Sequence, residues 1–265
     1  MARRNLVLAL IGLIFSAGPL ALAQDSQGGQ RSESTGEIRA VPVGTVLPVR
    51  LEHQVSSRSA RIGQAITGRL MQDVPLQGGG KIAEGAKVRG TIVAMTAGSG
   101  RAGAEIRLRF DTLESHGRKI AIVTGLRALA SLLEVESAQT PETSPGFGTP
   151  YVWATTRLVG GGEKYGVGGP VTDEWSNTVG EGTFTGVLVH LAASEAGGCR
   201  GEIDGANRLQ ALWVFSADAC GVYGAKRVRI AHAGRDEPLG EIVLRSEGRE
   251  LKLRSGSGML LRVVK

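Results

Sequence analysis

The residues of this chain that could do chemistry are few and scattered. Its four histidines, His53, His116, His190 and His232, lie far apart, and no His or Cys neighbour stands at metal-ligand spacing. His190 and His232 fall inside strand-like runs and read as structural. Asp173-Glu174 with Glu181 could supply paired carboxylates for glycoside chemistry, but adjacent acids in a polar stretch read first as solvated side chains. The run GGGEKYGVGG at 160–169 has the glycine content of a phosphate loop. It ends in Pro170 instead of opening a helix, so no helix dipole faces an anion, and a hairpin or surface loop is expected. G-x-S-x-G, H-E-x-x-H and Walker motifs are absent from the sequence. The chain therefore reads as non-enzymatic, with no catalytic residue, metal ligand or cofactor proposed.

Aromatic side chains offer a different chemistry, that of contact. Nine of the eleven lie between Phe147 and Tyr223. Trp153, Tyr165, Trp175, Trp213 and Tyr223 could line a sugar- or peptide-binding face, because such rings stack on apolar surfaces and keep a polar tip wet. Trp213 sits in the apolar run Leu209-Gln-Ala-Leu-Trp-Val-Phe and belongs in a core. Trp175, in the polar stretch Thr172-Asp-Glu-Trp-Ser-Asn, should be exposed. Trp175, Tyr165 and Trp153 are the candidate ligand-binding residues.

The elements that must position them begin with an export signal. Arg3 and Arg4, the apolar run Leu6–Phe15 and Ala21-Leu22-Ala23 have the order of a charged n-region, an h-region and an A-x-A cleavage site. The apolar run is shorter than the roughly 20 residues that span a bilayer. Cleavage after Ala23 would leave a periplasmic or extracellular protein with no transmembrane segment, its formal charge lowered from +6 to +4 by loss of two arginines. In an oxidising compartment the two cysteines, Cys199 and Cys220, should form one disulfide.

The full sequence has 42% hydrophobic and 21% charged residues, a globular composition, and 265 residues leave room for one or two domains. Residues 24–40 are polar and read as a flexible leader. From Val41 the pattern is period-two. In Glu105–Asp111, Ile106, Leu108 and Phe110 alternate with Glu105, Arg107, Arg109 and Asp111, as in antiparallel strands with one wet face. Leucines 126, 129, 132 and 133 have near-helical spacing and predict a short helix, followed by a Pro-rich linker to Pro150. These features predict an all-β chain: a small barrel or sandwich at 41–125, a helix and linker at 126–150, and a second antiparallel β domain at 151–265 carrying the disulfide.

The segments Val41-Pro-Val-Gly-Thr-Val-Leu-Pro-Val-Arg-Leu, Ser56-Ser57, Ala65-Ile-Thr-Gly-Arg-Leu, Lys81-Ile-Ala-Glu-Gly-Ala-Lys-Val-Arg-Gly-Thr-Ile and Ile106-Arg-Leu-Arg-Phe-Asp-Thr-Leu follow a set order. Over about 41–125 that order resembles the C-terminal β-barrel domain of the TrbI/VirB10 family of conjugation and type IV secretion proteins. The resemblance implies a β-barrel that works within an envelope assembly. Residues 222–265 hold ten bases against five acids. An exported basic chain points to envelope proteins or anionic envelope polymers as partners, and away from nucleic acid. A glycan-binding or carbohydrate-active role for the aromatic-rich half is the alternative. N-terminal sequencing of the exported protein should begin at Gln24; a membrane-bound product retaining residues 1–23 would overturn the cleavage site.

Overall fold

The fold is described from a computed structural model, which covers residues 38, 40–99, 102–140, 155–166, 168–192, 199, 208–231 and 239–265. Leader residues 24–37 and 39 and the linker prolines fall outside these residues. The described chain is all-β, with one short helix. Its first part comprises β1 (Val46–Leu51), β2 (Val55–Ser56), β3 (Ala65–Leu70), β4 (Val74–Pro75), β5 (Lys81–Ile82), β6 (Lys87–Thr96), β7 (Ala104–Ser115), β8 (Arg118–Ala121), β9 (Thr124–Ala130) and α1 (Leu132–Ser137). After the linker come β10 (Thr155–Arg157), β11 (Lys164–Gly166), β12 (Pro170–Thr172), β13 (Thr178–Gly182), β14 (Val187–His190) and β15 (Leu209–Ala211). The chain closes with β16 (Gly221–Tyr223), β17 (Val228–Ile230), β18 (Ile242–Ser246), β19 (Lys252–Leu253) and β20 (Gly258–Val263).

Ten strands form one sheet in the order β16-β9-β20-β1-β3-β6-β7-β18-β17, with β8 also paired to β7. Every pairing is antiparallel except that of β16 with β9. The sheet is curled. Nine strands laid flat at ~4.8 Å spacing would separate β16 from β17 by roughly 38 Å. Residues 224–227 join those two strands, and such a short connection reaches about 17 Å. Bulges at Arg89/Gly90 and Ile92/Ala94 interrupt the register of the long β6–β7 pair, the device by which a ladder bends. Gly90 sits at one of them because any side chain there would collide with the Arg109 carbonyl. No ladder joins β16 to β17 among the described residues, so the hydrogen bonding is not closed.

The division into two β domains is corrected by this topology. β16, β17, β18 and β20 all follow the linker yet belong to the sheet that 41–125 begins, and Ser34–Lys265 forms a single compact unit. Residues 155–211 do build a separate six-stranded meander, β10 through β15 in sequence order. It packs on the outside of the curled sheet. Leu47, Val49, Leu51, Met259, Leu261 and Val263 face the interior core, whereas Val46, Leu260, Ala128 and Ala130 join Trp213, Phe215, Val187 and Val189 in a second core. Small residues allow this close approach: a Cβ at Gly258 would meet Val135, Trp213 and Phe215 at 3.0–3.3 Å.

Two local expectations also change. Thr124–Ala130 is a strand, not helix; the helix occupies only Leu132–Ser137, with Ser131 as its N-cap. β9 is buried on both faces, so its apolar residues do not alternate, and its leucines fall by chance at helical spacing. The apolar run from Leu209 keeps strand geometry only to Ala211. Beyond it Trp213 turns to a φ of 56°, and its N–H goes to the side chain of Gln72 at 2.8 Å. Cys199 and Cys220 are bridged, as their even count in an exported chain implied.

β20 closes the sheet between β1 and β9, so the structure predicts one cooperative thermal transition for residues 40–265. A chain ending at Ser257 should show no cooperative melt by circular dichroism, and residues 41–125 expressed alone should be unfolded. Gly258→Leu, which overfills the junction of the cores, should cost ~1–3 kcal/mol.

Candidate functional site

The meander presents its turns to solvent, and one of them carries Trp175. The β12–β13 turn is built around Asp173. Its Oδ1 accepts from the backbone N–H of Trp175 at 2.9 Å and of Asn177 at 2.8 Å, and its Oδ2 accepts from Asn177 Nδ2 at 3.0 Å. The Asp173 N–H donates to the Asn177 carbonyl, the Ser176 N–H donates to the Asp173 carbonyl, and Ser176 adopts a φ of 67°. These bonds hold the Asp173 carboxyl below its ordinary range, with the Asn177 side-chain hydrogen bond the leading cause. An aspartate that closes an Asx turn in this way fixes the backbone on either side of it. The turn leaves Trp175 74% exposed.

The other aromatic candidates do not join it. Tyr165 on β11 is half-buried and packs on the second core. Trp153 lies outside the described residues. Trp213 is buried, as its apolar surroundings implied. Phe184, 89% exposed, sits in the β13–β14 turn, at the opposite end of β13 from Trp175. Sequence reasoning missed it, because Thr-Phe-Thr reads as strand and only the flanking Gly182 and Gly186 signal a turn. Trp175 and Phe184 are thus two separate contact points and not one stacked face.

Titratable groups gather beside the glycine run. Glu163 Oε2 accepts from the Ala217 N–H at 2.9 Å, and the Ser216 hydroxyl lies 2.8 Å from Asp218 Oδ1 and 3.1 Å from the Val159 carbonyl. Burial pushes the Glu163 carboxyl up, and the nearby charges of Asp218 and Asp173 add to the shift. Burial likewise raises the Tyr223 hydroxyl, which donates to the Cys220 carbonyl and accepts from the Cys220 N–H. The glycines are there for space: a Cβ at Gly160 would stand 2.7 Å from the Tyr223 ring, and one at Gly161 would stand 2.6 Å from Ser216. These contacts pin residues 160–163 to residues 216–223. Asp173 is spent on its turn, and Glu181 lies across from Leu188 and Pro170, further along β13. The structure does not bring them together as a carboxylate pair.

Arg127 anchors the far side of that segment. Leu260 and Leu261 of β20 oppose Ala128 and Leu126, so Arg127 is the extra residue of a β-bulge. The bulge turns its fully buried side chain outward, where Nε donates to the Ala219 carbonyl at 2.9 Å and Nη2 to the Ala192 carbonyl at 2.7 Å. The histidines are spread over the loop before β2, the β7–β8 turn and β14, where His190 is exposed; His232 is outside the described residues. Among the described residues no group of three or more His, Cys, Asp or Glu is placed to hold a metal ion. A cleft of about 570 Å³ opens where β7 passes from pairing with β18 to pairing with β8. Arg109, Lys265 and Asp111 line it, so it presents both signs of charge.

Comparison with family models, with curated proteins and with solved structures gives no match.

Glu163 provides a pH test. Its carboxyl is raised in the folded state above the ordinary 4.5. Its contribution to stability is therefore full below the unfolded value and is lost as pH rises through the folded value. Glu163→Gln keeps an oxygen for the Ala217 N–H and removes the buried charge. The variant should melt above the parent at pH 7, and the difference should disappear near pH 4 in calorimetry.

Proposed function

We propose that this chain is an exported, non-enzymatic envelope protein that acts by presenting contact residues on a disulfide-bonded β scaffold. The observation that carries the reading is Trp175, a large apolar side chain held out to solvent by a turn that Asp173 fixes in place. Held on a fixed turn, the indole offers its apolar face to a partner at little ordering cost. A rigid aromatic is also the side chain that most often dominates an interface. The Cys199–Cys220 bridge supports export, since such bonds persist in oxidising compartments. No helix among the described residues is long and apolar enough to cross a membrane. The strands quoted for the TrbI/VirB10 resemblance include β1, β3, β6 and β7, four adjacent members of the curled sheet.

The second reading, glycan binding, also rests on Trp175, because an exposed indole face stacks on the apolar face of a sugar ring. Both readings make Trp175 the anchor. Purification from native envelopes with Trp175→Ala as control should separate them. Under the first reading the parent retains a reproducible protein partner, and Trp175→Ala weakens it by roughly thirtyfold, the effect of losing a hot spot of about 2 kcal/mol. Binding to a cell-wall glycan on an array, with the same dependence on Trp175, would favour the second. Measurable turnover of any such polymer would overturn the non-enzymatic reading.

A further inference from the structure

The ladder registers place one end of each of the nine strands on the main path of the curled sheet at the same pole. There β1 ends and β20 begins (Arg50 opposite Gly258), β6 ends and β7 begins (Thr96 opposite Glu105), and β18 ends opposite the start of β17 (Ser246 opposite Val228). The described connections gathered at this pole are 52–64, 97–99 with 102–103, 224–227 and 247–257. Their hydrogen bonds lock them together: the Ser57 N–H donates to the Leu251 carbonyl, the Gly98 N–H to the Arg249 carbonyl, and the Glu247 N–H to the Arg227 carbonyl.

This pole is basic. Arg58, Arg61, Lys226, Arg227, Arg249, Lys252 and Arg254 are all exposed on it. Its acids are largely occupied. Glu52 pairs with Arg69 at 2.7 Å, Glu250 accepts from Ser56 at 2.7 Å and lies 3.8 Å from Arg58, and Glu247 lies 3.9 Å from Arg229. Arg61, Lys226, Arg227, Arg249, Lys252 and Arg254 enter no ion pair among the described residues. Helix α1 borders the pole through Leu132 against Gly256, and it brings two acids, Glu134 and Glu136. Six unpaired cations still face two carboxylates. Among them stand two large apolar side chains, Ile62 at 70% exposure on the 61–64 turn and Leu133 at 66% on α1. The turn that raises Ile62 is tied down, with the Arg61 N–H donating to Gln64 Oε1 at 3.0 Å and the Gly63 N–H to the Ile92 carbonyl at 2.8 Å.

We infer that this pole docks on an anionic lipid surface, its bases at the phosphate headgroups and Ile62 and Leu133 in the acyl boundary. The inference rests on the exported reading only for where such a surface is met; the chemistry is that of the pole itself. Bases alone would suit any polyanion. Exposed apolar tips among the bases suit a surface that offers both negative charge and hydrocarbon. Each cation near such a surface contributes about fivefold in partition, and the attraction falls within a Debye length.

The test uses the mature protein, 24–265, and vesicles of phosphatidylcholine with or without an equal part of phosphatidylglycerol. Sedimentation should show binding to the anionic vesicles and not to the neutral ones, with loss in high salt. Lys252→Glu with Arg254→Glu should reduce partition more than twentyfold, and Ile62→Ser should reduce it several-fold, each with an unchanged circular dichroism spectrum. Trp175→Ala should leave partition intact. Because vesicle binding is read on purified protein, failure of the Trp175 partner leaves this result standing, and the reverse holds too. Three outcomes would overturn the inference: no sedimentation with anionic vesicles, sedimentation indifferent to the charge reversals, or equal capture by soluble polyphosphate with no effect of Ile62→Ser. The last would make the pole a general polyanion site.

Discussion

Everything in this protein depends on three adjacent strands, β9, β20 and β1, being buried on both faces. Inward, their side chains fill the curled sheet; outward, they form the floor on which the six-stranded meander sits. Two cores that share a single layer of backbone cannot both carry large side chains at every position. The outward positions Ala128, Ala130 and Gly258 are accordingly small, and the aromatic bulk comes from the other side as Trp213 and Phe215. Packing at close to crystal density makes such an arrangement intolerant of even one added methylene. It also explains why 41–125 and the later strands β16, β17, β18 and β20 share one sheet.

Polar groups at this shared layer are few and buried, and they serve the backbone. Gln72 reaches across from the end of β3, donating to the Val187 carbonyl at 3.0 Å while its oxygen takes the Trp213 N–H. Arg127 satisfies the carbonyls of Ala192 and Ala219. Both serve backbone groups that fall between regular ladders, where an unpaired N–H or C=O would cost ~1–3 kcal/mol. The Cys199–Cys220 bridge lies against the same place, with Cys199 Sγ 3.9 Å from the Arg127 carbonyl. These struts give the meander a fixed seat, and from that seat the Trp175 turn acquires a defined position.

What the sequence disclosed follows from how each element meets water. β7 was legible because Arg107 and Arg109 alternate with Ile106, Leu108 and Phe110, one face wet and one dry. β9 was not, because both its faces are dry and Leu126, Leu129 and Leu132 imitate a helical stripe. The all-β class and the disulfide followed from local pattern and counting. The merging of the two halves did not, since nothing near Met259 announces a partner at Val49. At the candidate site, Trp175 was found through its polar neighbours. Tyr165 misled because its environment is set by residues distant in sequence, and Glu163 was hidden inside a glycine run that reads as a loop. Ile62 is unremarkable in one dimension. Only the convergence of strand ends gives it basic company.

The pairing of Val46 with Arg262 has a consequence in time. Until the last few residues of this sequence are present, β1 and β9 each keep an open edge, and the curled sheet lacks the strand that joins its two halves. Loop-closure entropy for so distant a pairing must be met before any of its contacts are gained, which places such topologies among the slow folders. A chain that emerges N-terminus first therefore holds β1 and β9 with open edges until β20 has emerged, the condition in which one copy adds to another. Selection acting on this molecule would fall as heavily on the unfinished chain as on the finished one. Its frequent glycines and the charged residues along its strands are then read as much for keeping waiting edges apart as for shaping the product.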